Sequence, residues 1–158
     1  MDQDSVEKID RLVKGGKAAG AKCLLGGNRP PGDGFFFEPT VFADVTDDME
    51  IAKEEIFGPV MSILKFKDVE EVIARANDTC YGLAGAVFTR DINQATNVAM
   101  GLRAGTVWTN CYDVLEASAP FGGYKQSGAG RELGEYGLAQ YNEVKTITIA
   151  LTPGSKNS

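Results

Sequence analysis

The chain contains no histidine among its 158 residues. Ser-His-Asp and Cys-His nucleophile arrangements are thereby excluded within it, and acid–base work would fall to carboxylates, lysine, tyrosine or cysteine. Cysteine is scarce: Cys23, Cys80 and Cys111 are widely spaced and form no C-x-x-C pair. An odd count without that pair argues against a disulfide framework or a zinc site, and with the missing histidine it indicates a reducing compartment and no metal. Positive charge is also short. There are 16 Lys and Arg against 22 Asp and Glu, for a net charge of −6, and basic residues never cluster beyond two. Nucleic acids and anionic membranes are recognised through basic footprints, so neither is an expected partner. No apolar run approaches the roughly 18 residues that span a bilayer, and Met1-Asp2-Gln3-Asp4 lacks the basic and apolar regions of a secretory signal. In that context the sequon Asn77-Asp78-Thr79 carries no glycosylation reading.

What is present fits a globular domain: 43% of residues are apolar and 24% charged. A chain of this length buries roughly two-thirds of its unfolded surface. Asp4 or Ser5 is placed to cap a first helix with Val6, Ile9 and Val13 at helical spacing, which Gly15-Gly16 weakens and Gly20 ends. Lys22–Leu25 reads as a short strand and residues 26–34 as a loop. Phe35–Val45 reads as extended, with Pro39 indicating a sheet edge. Asp47–Glu55 reads as a short helix. From Gly58 a regular alternation begins: strand Val60–Phe66, a helix opened by Asp68 with Val69, Val72, Ile73 and Ala76 inward, and strand Leu83–Thr89. A helix opened by Asp91 follows, with Ile92, Ala95, Val98, Ala99 and Leu102 on one face, and then strand Thr106–Thr109. This pattern predicts an α/β fold with a parallel β-α-β-α-β sheet covered by helices on both faces. Residues 110–130 read as a loop, Arg131–Tyr141 as a helix and Val144–Leu151 as a final strand.

Several stretches carry candidate chemistry. Glu55 and Phe57 lie in Ala52-Lys53-Glu54-Glu55-Ile56-Phe57-Gly58-Pro59-Val60. A carboxylate two residues from an aromatic suits a ribose and a flat ring; a helix-end glutamate and a core phenylalanine fit the same spacing. Gly128-Ala129-Gly130-Arg131-Glu132-Leu133-Gly134 fails as a dinucleotide fingerprint, because G-x-G-x-x-G needs glycine at Leu133 and a strand beforehand; Ser127 is placed to cap a following helix instead. Cys111, just beyond a parallel strand, is either a thiolate nucleophile or a small apolar residue with no histidine to activate it. In the loop from Asp113 to Gly123, Pro120-Phe121 either faces an apolar channel or plugs the loop down. The last strand alternates Lys145, Ile147, Ile149 and Leu151 with Val144, Thr146 and Thr148. It serves either as an edge for pairing with another chain or as the final strand of the chain's own sheet.

Five blocks in order resemble the aldehyde dehydrogenase superfamily, nearest its class 1 and class 2 enzymes. They are Lys53-Glu54-Glu55-Ile56-Phe57-Gly58-Pro59-Val60, Tyr81-Gly82-Leu83-Ala84, Ala104-Gly105-Thr106-Val107-Trp108-Thr109-Asn110, Pro120-Phe121-Gly122-Gly123-Tyr124-Lys125-Gln126-Ser127-Gly128 and Gly130-Arg131-Glu132. The resemblance implies an oxidoreductase that converts aldehydes to carboxylic acids with NAD. It implies that Glu55 binds the nicotinamide ribose and Phe57 lies against the nicotinamide. Leu115 and Phe121 would line the aldehyde tunnel, with Glu116 at its mouth. Lys145, Thr146, Ile147, Thr148 and Ile149 would form an oligomerisation strand in a homodimer or tetramer.

By the same resemblance, residues 1–143 are part of a catalytic domain, 144–151 an oligomerisation arm and 152–158 a polar tail. The family's nucleophilic cysteine, its general-base glutamate and its Rossmann domain fall outside the matched region. The chain is thus expected to be inactive alone, with no catalytic residue of its own. NADP stays open as the cofactor because the selecting domain is unmatched, and location is expected to be cytoplasmic, with the mitochondrial matrix as the other possibility. Two alternatives accompany this: a non-catalytic, crystallin-like structural or interaction protein, and a half-enzyme that complements a partner chain.

Overall fold

The computed structural model describes residues 2–151 and divides the chain into two compact units, residues 1–79 and 80–158. In the first unit, helix α1 (Gln3–Ala18) is followed by β1 (Lys22–Leu25), β2 (Thr40–Ala43), α2 (Glu50–Lys53), β3 (Val60–Ser62) and α3 (Val69–Asn77). Helix α1 is capped by Asp2 rather than Asp4 or Ser5, since the Asp2 carboxylate accepts from the Ser5 backbone N–H at 2.9 Å. Gly15 and Gly16 lie inside this helix, and Gly16 gives the close approach to Ile51 that a side chain would obstruct. Val6, Ile9, Leu12 and Val13 form the inner stripe of α1 and meet Phe37, Phe42, Val45, Ile51 and Ile56 in the core. The one buried polar side chain of this core, Thr40, is satisfied: its hydroxyl donates to the Glu38 carbonyl and accepts from the Gly27 N–H.

The sheet order is β1-β2-β3, antiparallel then parallel. The stretch read as an edge therefore supplies the central strand. Pro39 stands just before β2, so its missing N–H costs the ladder nothing, and Thr40 donates to the Pro59 carbonyl instead. Strand β3 is three residues long, shorter than expected, and the chain beyond it keeps bonding through Ile63 to Phe42 and Val45. Helix α3 has the expected Asp68 cap, but Val69, Val72, Ile73 and Ala76 are not buried. It is tied down electrostatically: Arg75 bonds Asp47 and Glu71 and donates to the Lys65 carbonyl.

In the second unit, β4 (Ala84–Val87) and β5 (Thr106–Thr109) pair in parallel, joined by α4 (Ile92–Gly101). Asp91 caps α4 through the Asn93 and Gln94 N–H groups. Of its predicted inner face, Ala95 and Val98 are buried, whereas Ile92 is exposed. The class is thus α/β with parallel strands and helices, as expected, but the strands form two sheets. Strand β3 bonds to β2, and β4 bonds only to β5 among the described residues, so the predicted continuous β-α-β-α-β sheet is divided. The strands also carry exposed and half-buried residues, so they are not covered on both faces.

Two further corrections concern the last third. The helix expected over 131–141 is limited to α5 (Gly134–Leu138) and a single 3-10 turn at Ala139–Tyr141. Glu132 is instead engaged in a two-way backbone pairing with Phe121, and Leu133 turns the chain at φ 58°. Residues 142–151 form no strand and are exposed throughout, with Val144 98% accessible. A strand exists only with a partner on its ladder, and among the described residues none is paired to this segment. The tail of residues 152–158 lies outside the described residues.

Candidate functional site

The predicted residues fall into two loops, one in each unit. In the first unit, α2 ends at Lys53, with Glu54 as its cap, and the chain turns through Glu55, Ile56 and Phe57 into β3. The ends of this loop are held firmly. Ile56 is buried in the core, and Gly58 lies where a side chain would run into Ile9 of α1, at 2.5 Å from its Cδ1. Between them Phe57 adopts φ 57°, a left-handed conformation that costs a non-glycine residue about 1–2 kcal/mol. The result is that Ile56 points into the core while Phe57 stands 72% exposed.

Glu55 is exposed as well, and no hydrogen bond or ion pair among the described residues occupies its carboxylate. Its neighbour Glu54 differs: it takes an ion pair from Lys8 at 2.8 Å, and this bond and the lysine charge hold its carboxyl below the usual value. Two adjacent glutamates thus have separate roles, one bonded to the scaffold and one left free. A free carboxylate beside an exposed ring can accept from a pair of hydroxyls and offer a flat apolar face to a second ring.

In the second unit, the loop beyond β5 carries Leu115, Glu116 and Phe121. Its first part is pinned by Trp108, whose indole N–H donates to the Val114 carbonyl at 2.8 Å and whose ring meets Tyr112 edge-on. Its middle is a turn closed by the Ala119 N–H on the Glu116 carbonyl, and its far side is held by Gly134 N–H on Ala117. Leu115 stands 54% exposed, Glu116 is exposed and Phe121 is half-buried on its bridge to Glu132.

The glycines of three sequence blocks meet beneath this loop. The Gly82 carbonyl accepts from the N–H groups of both Gly105 and Tyr124, at 3.0 and 2.7 Å. A Cβ on Gly105 would lie 1.6 Å from the Gly122 carbonyl oxygen, so only glycine fits. Ser127, expected to cap a helix, instead accepts from the Gly82 N–H at 3.0 Å. Arg131 donates to the Gly123 carbonyl and lies over the Tyr124 ring. The blocks at 81–84, 104–110, 120–128 and 130–132 are thus one interlocked backbone support for the loop.

Cys111 is exposed and bears no thiol hydrogen bond among the described residues. No group of three or more Cys, Asp or Glu able to hold a metal occurs among the described residues, and no helix there is long and apolar enough to cross a membrane. Sequence reasoning missed Lys8 and Arg131 as supports. Lys8 meets partners 46 and 47 residues away, a separation that no local spacing pattern encodes.

Comparison with known proteins gives a consistent picture. The model of the aldehyde dehydrogenase family matches residues 1–147. The mitochondrial aldehyde dehydrogenase of Sus scrofa is 59% identical over 158 residues, which are 100% of this chain and 30% of that protein. Human retinaldehyde dehydrogenase 3 is 59% identical over 157 residues, 99% of this chain and again 30% of that protein. Among solved structures, the NAD+ complex of an aldehyde dehydrogenase from Bacillus cereus superposes with a TM-score of 0.91 at 51% identity, covering 96% of this chain and 31% of its own. The chain therefore spans about 30% of the length of the relatives it matches.

Proposed function

The chain belongs to the aldehyde dehydrogenase family, and from that premise we propose that it is the portion of an NAD-dependent aldehyde-oxidising enzyme that orients the nicotinamide and shapes the aldehyde entrance. The observation that carries this is the loop after α2. There a free carboxylate, Glu55, and an exposed ring, Phe57, are presented side by side by a strained backbone residue. Strain held by surrounding structure is a recurrent mark of a functional segment.

In this proposal Glu55 accepts hydrogen bonds from the nicotinamide ribose hydroxyls, and Phe57 gives the nicotinamide ring a flat face that limits its tilt. NAD supplies hydride acceptance when bound. The chain's own part is orientation, which acts on rate through the geometry of the reacting atoms. Leu115 and Phe121 line the aldehyde path, and Glu116 stands at its mouth. The thiol nucleophile and general base come from polypeptide outside these residues, so the isolated chain does not oxidise aldehydes. Residues 145–149 pair with a second subunit.

The test uses a full-length aldehyde dehydrogenase carrying this segment. Glu55→Gln keeps size but weakens acceptance from the hydroxyls, and is expected to raise KM for NAD or lower kcat about tenfold or more. Kinetics unchanged within twofold would remove Glu55 from the site. The isolated chain is expected to show no NAD-dependent propanal oxidation above a Cys111→Ala control, and turnover above that control would refute the division of labour.

A further inference from the structure

The loop that presents Glu55 and Phe57 has one cation built against it, and that cation comes from α1. The Lys8 ammonium donates to the Glu54 carboxylate at 2.8 Å and to the Glu55 backbone carbonyl at 2.9 Å. The same nitrogen lies 5.6 Å from the centre of the Phe57 ring, within the distance at which a cation is attracted to an aromatic face. Three successive features of one turn thus converge on a single ammonium group with three donors. The next residue along α1, Ile9, is fully buried and fills the space against which Gly58 packs. Helix α1 therefore grips both ends of the loop, through Lys8 at residues 54–57 and through Ile9 at residue 58.

We infer that Lys8 is a positioning residue: it selects the left-handed conformation of Phe57 and thereby sets where the Glu55 carboxylate and the Phe57 ring are presented. The energetics favour this role over a generic surface ion pair. A left-handed phenylalanine opposes the intrinsic preference of the backbone, so something must favour it locally. The bond to the Glu55 carbonyl fixes the peptide orientation immediately before Ile56, and with Phe57 at φ 57° its ring lies beside the same ammonium. Lys14, on the same helix, provides the contrast: its ammonium pairs with Asp10 one turn away. Lys8 is 35% exposed, so its removal leaves the core of α1 intact.

The inference rests on the proposed role of Glu55 and Phe57 only for its consequence; the positioning itself is tested without cofactor. Backbone and side-chain resonances of the full 158-residue chain would be compared in Lys8→Met, Lys8→Arg, Phe57→Leu and Lys14→Met. Lys8→Met is expected to move the amide resonances of Glu55 to Gly58. Lys8→Arg, which retains donors and charge, should restore most of that shift. Phe57→Leu should abolish an upfield ring-current shift of the Lys8 ε-methylene protons, and Lys14→Met should leave residues 55–58 unmoved. Wild-type amide shifts in Lys8→Met, or unchanged Lys8 ε-methylene shifts in Phe57→Leu, would overturn the inference. The expected shift changes in Lys8→Met together with normal Glu55→Gln kinetics would uphold the positioning and count against the cofactor role alone.

Discussion

Phe57 carries the clearest link between local backbone and proposed chemistry. Taken as a residue type it would be placed in the core, because large aromatics are usually buried. The structure gives the core position to Ile56 and leaves Phe57 exposed, a division that one left-handed residue produces. Spacing alone left the packing and binding readings of Glu55 and Phe57 both open, and only the resemblance separated them. Glu54 gives a prediction with a definite sign. Its folded pKa is depressed below the ordinary 4.5 by the Lys8 bond first and the Lys8 charge second. A depressed carboxylate contributes stability above its unfolded value and loses it as pH falls through the folded value. Thermal unfolding of wild type and Glu54→Gln should therefore differ most above pH 4.5 and converge at lower pH; a difference that grew on acidification would contradict the ion pair. In the proposal Glu116 stands at the aldehyde entrance, where a carboxylate should disfavour anionic aldehydes by about 1 kcal/mol, roughly fivefold in kcat/KM. Equal selectivity in Glu116→Gln would end that assignment.

At the scale of elements, the starts of α3 and α4 were the most legible features. Asp68 and Asp91 cap α3 and α4 as expected, because a cap is a local bond between a side chain and an N–H two or three residues on. Asp91→Ala should cost about 1 kcal/mol in chemical denaturation. Inner faces were less legible: helical spacing says which residues share a stripe and not whether anything covers it, so Ile92 is exposed beside buried Ala95. The helix expected from Arg131 failed for a non-local reason, the pairing of Glu132 with Phe121 eleven residues earlier. The glycine contacts were equally non-local. They give the sharpest stability prediction: Gly105→Ala places a methyl group 1.6 Å from the Gly122 carbonyl oxygen, and should destabilise by about 3 kcal/mol or more. Wild-type stability in that variant would contradict the interlocked support.

For the whole molecule, the α/β class followed from the alternation of strand and helix patterns, but the division into a three-stranded and a two-stranded sheet did not. Apolar runs signal strands and carry no record of which strand each one joins. The closing segment shows the same gap: Ile147 and Ile149 alternate like a strand, yet stand exposed without a ladder among the described residues. In the proposal that ladder is completed by another subunit. Ile147→Asp in a full-length enzyme should then shift sedimentation toward smaller species, and an unchanged distribution would remove the segment from the assembly. The central claim, that the loop after α2 orients the nicotinamide, is tested most directly by the crystal structure of such a full-length enzyme with NAD bound. The account predicts a Glu55 carboxylate oxygen within hydrogen-bond reach of the nicotinamide ribose hydroxyls, about 2.7 Å, with the Phe57 ring against the nicotinamide. A ribose bonded elsewhere, with the Glu55 carboxylate turned to solvent, would contradict it.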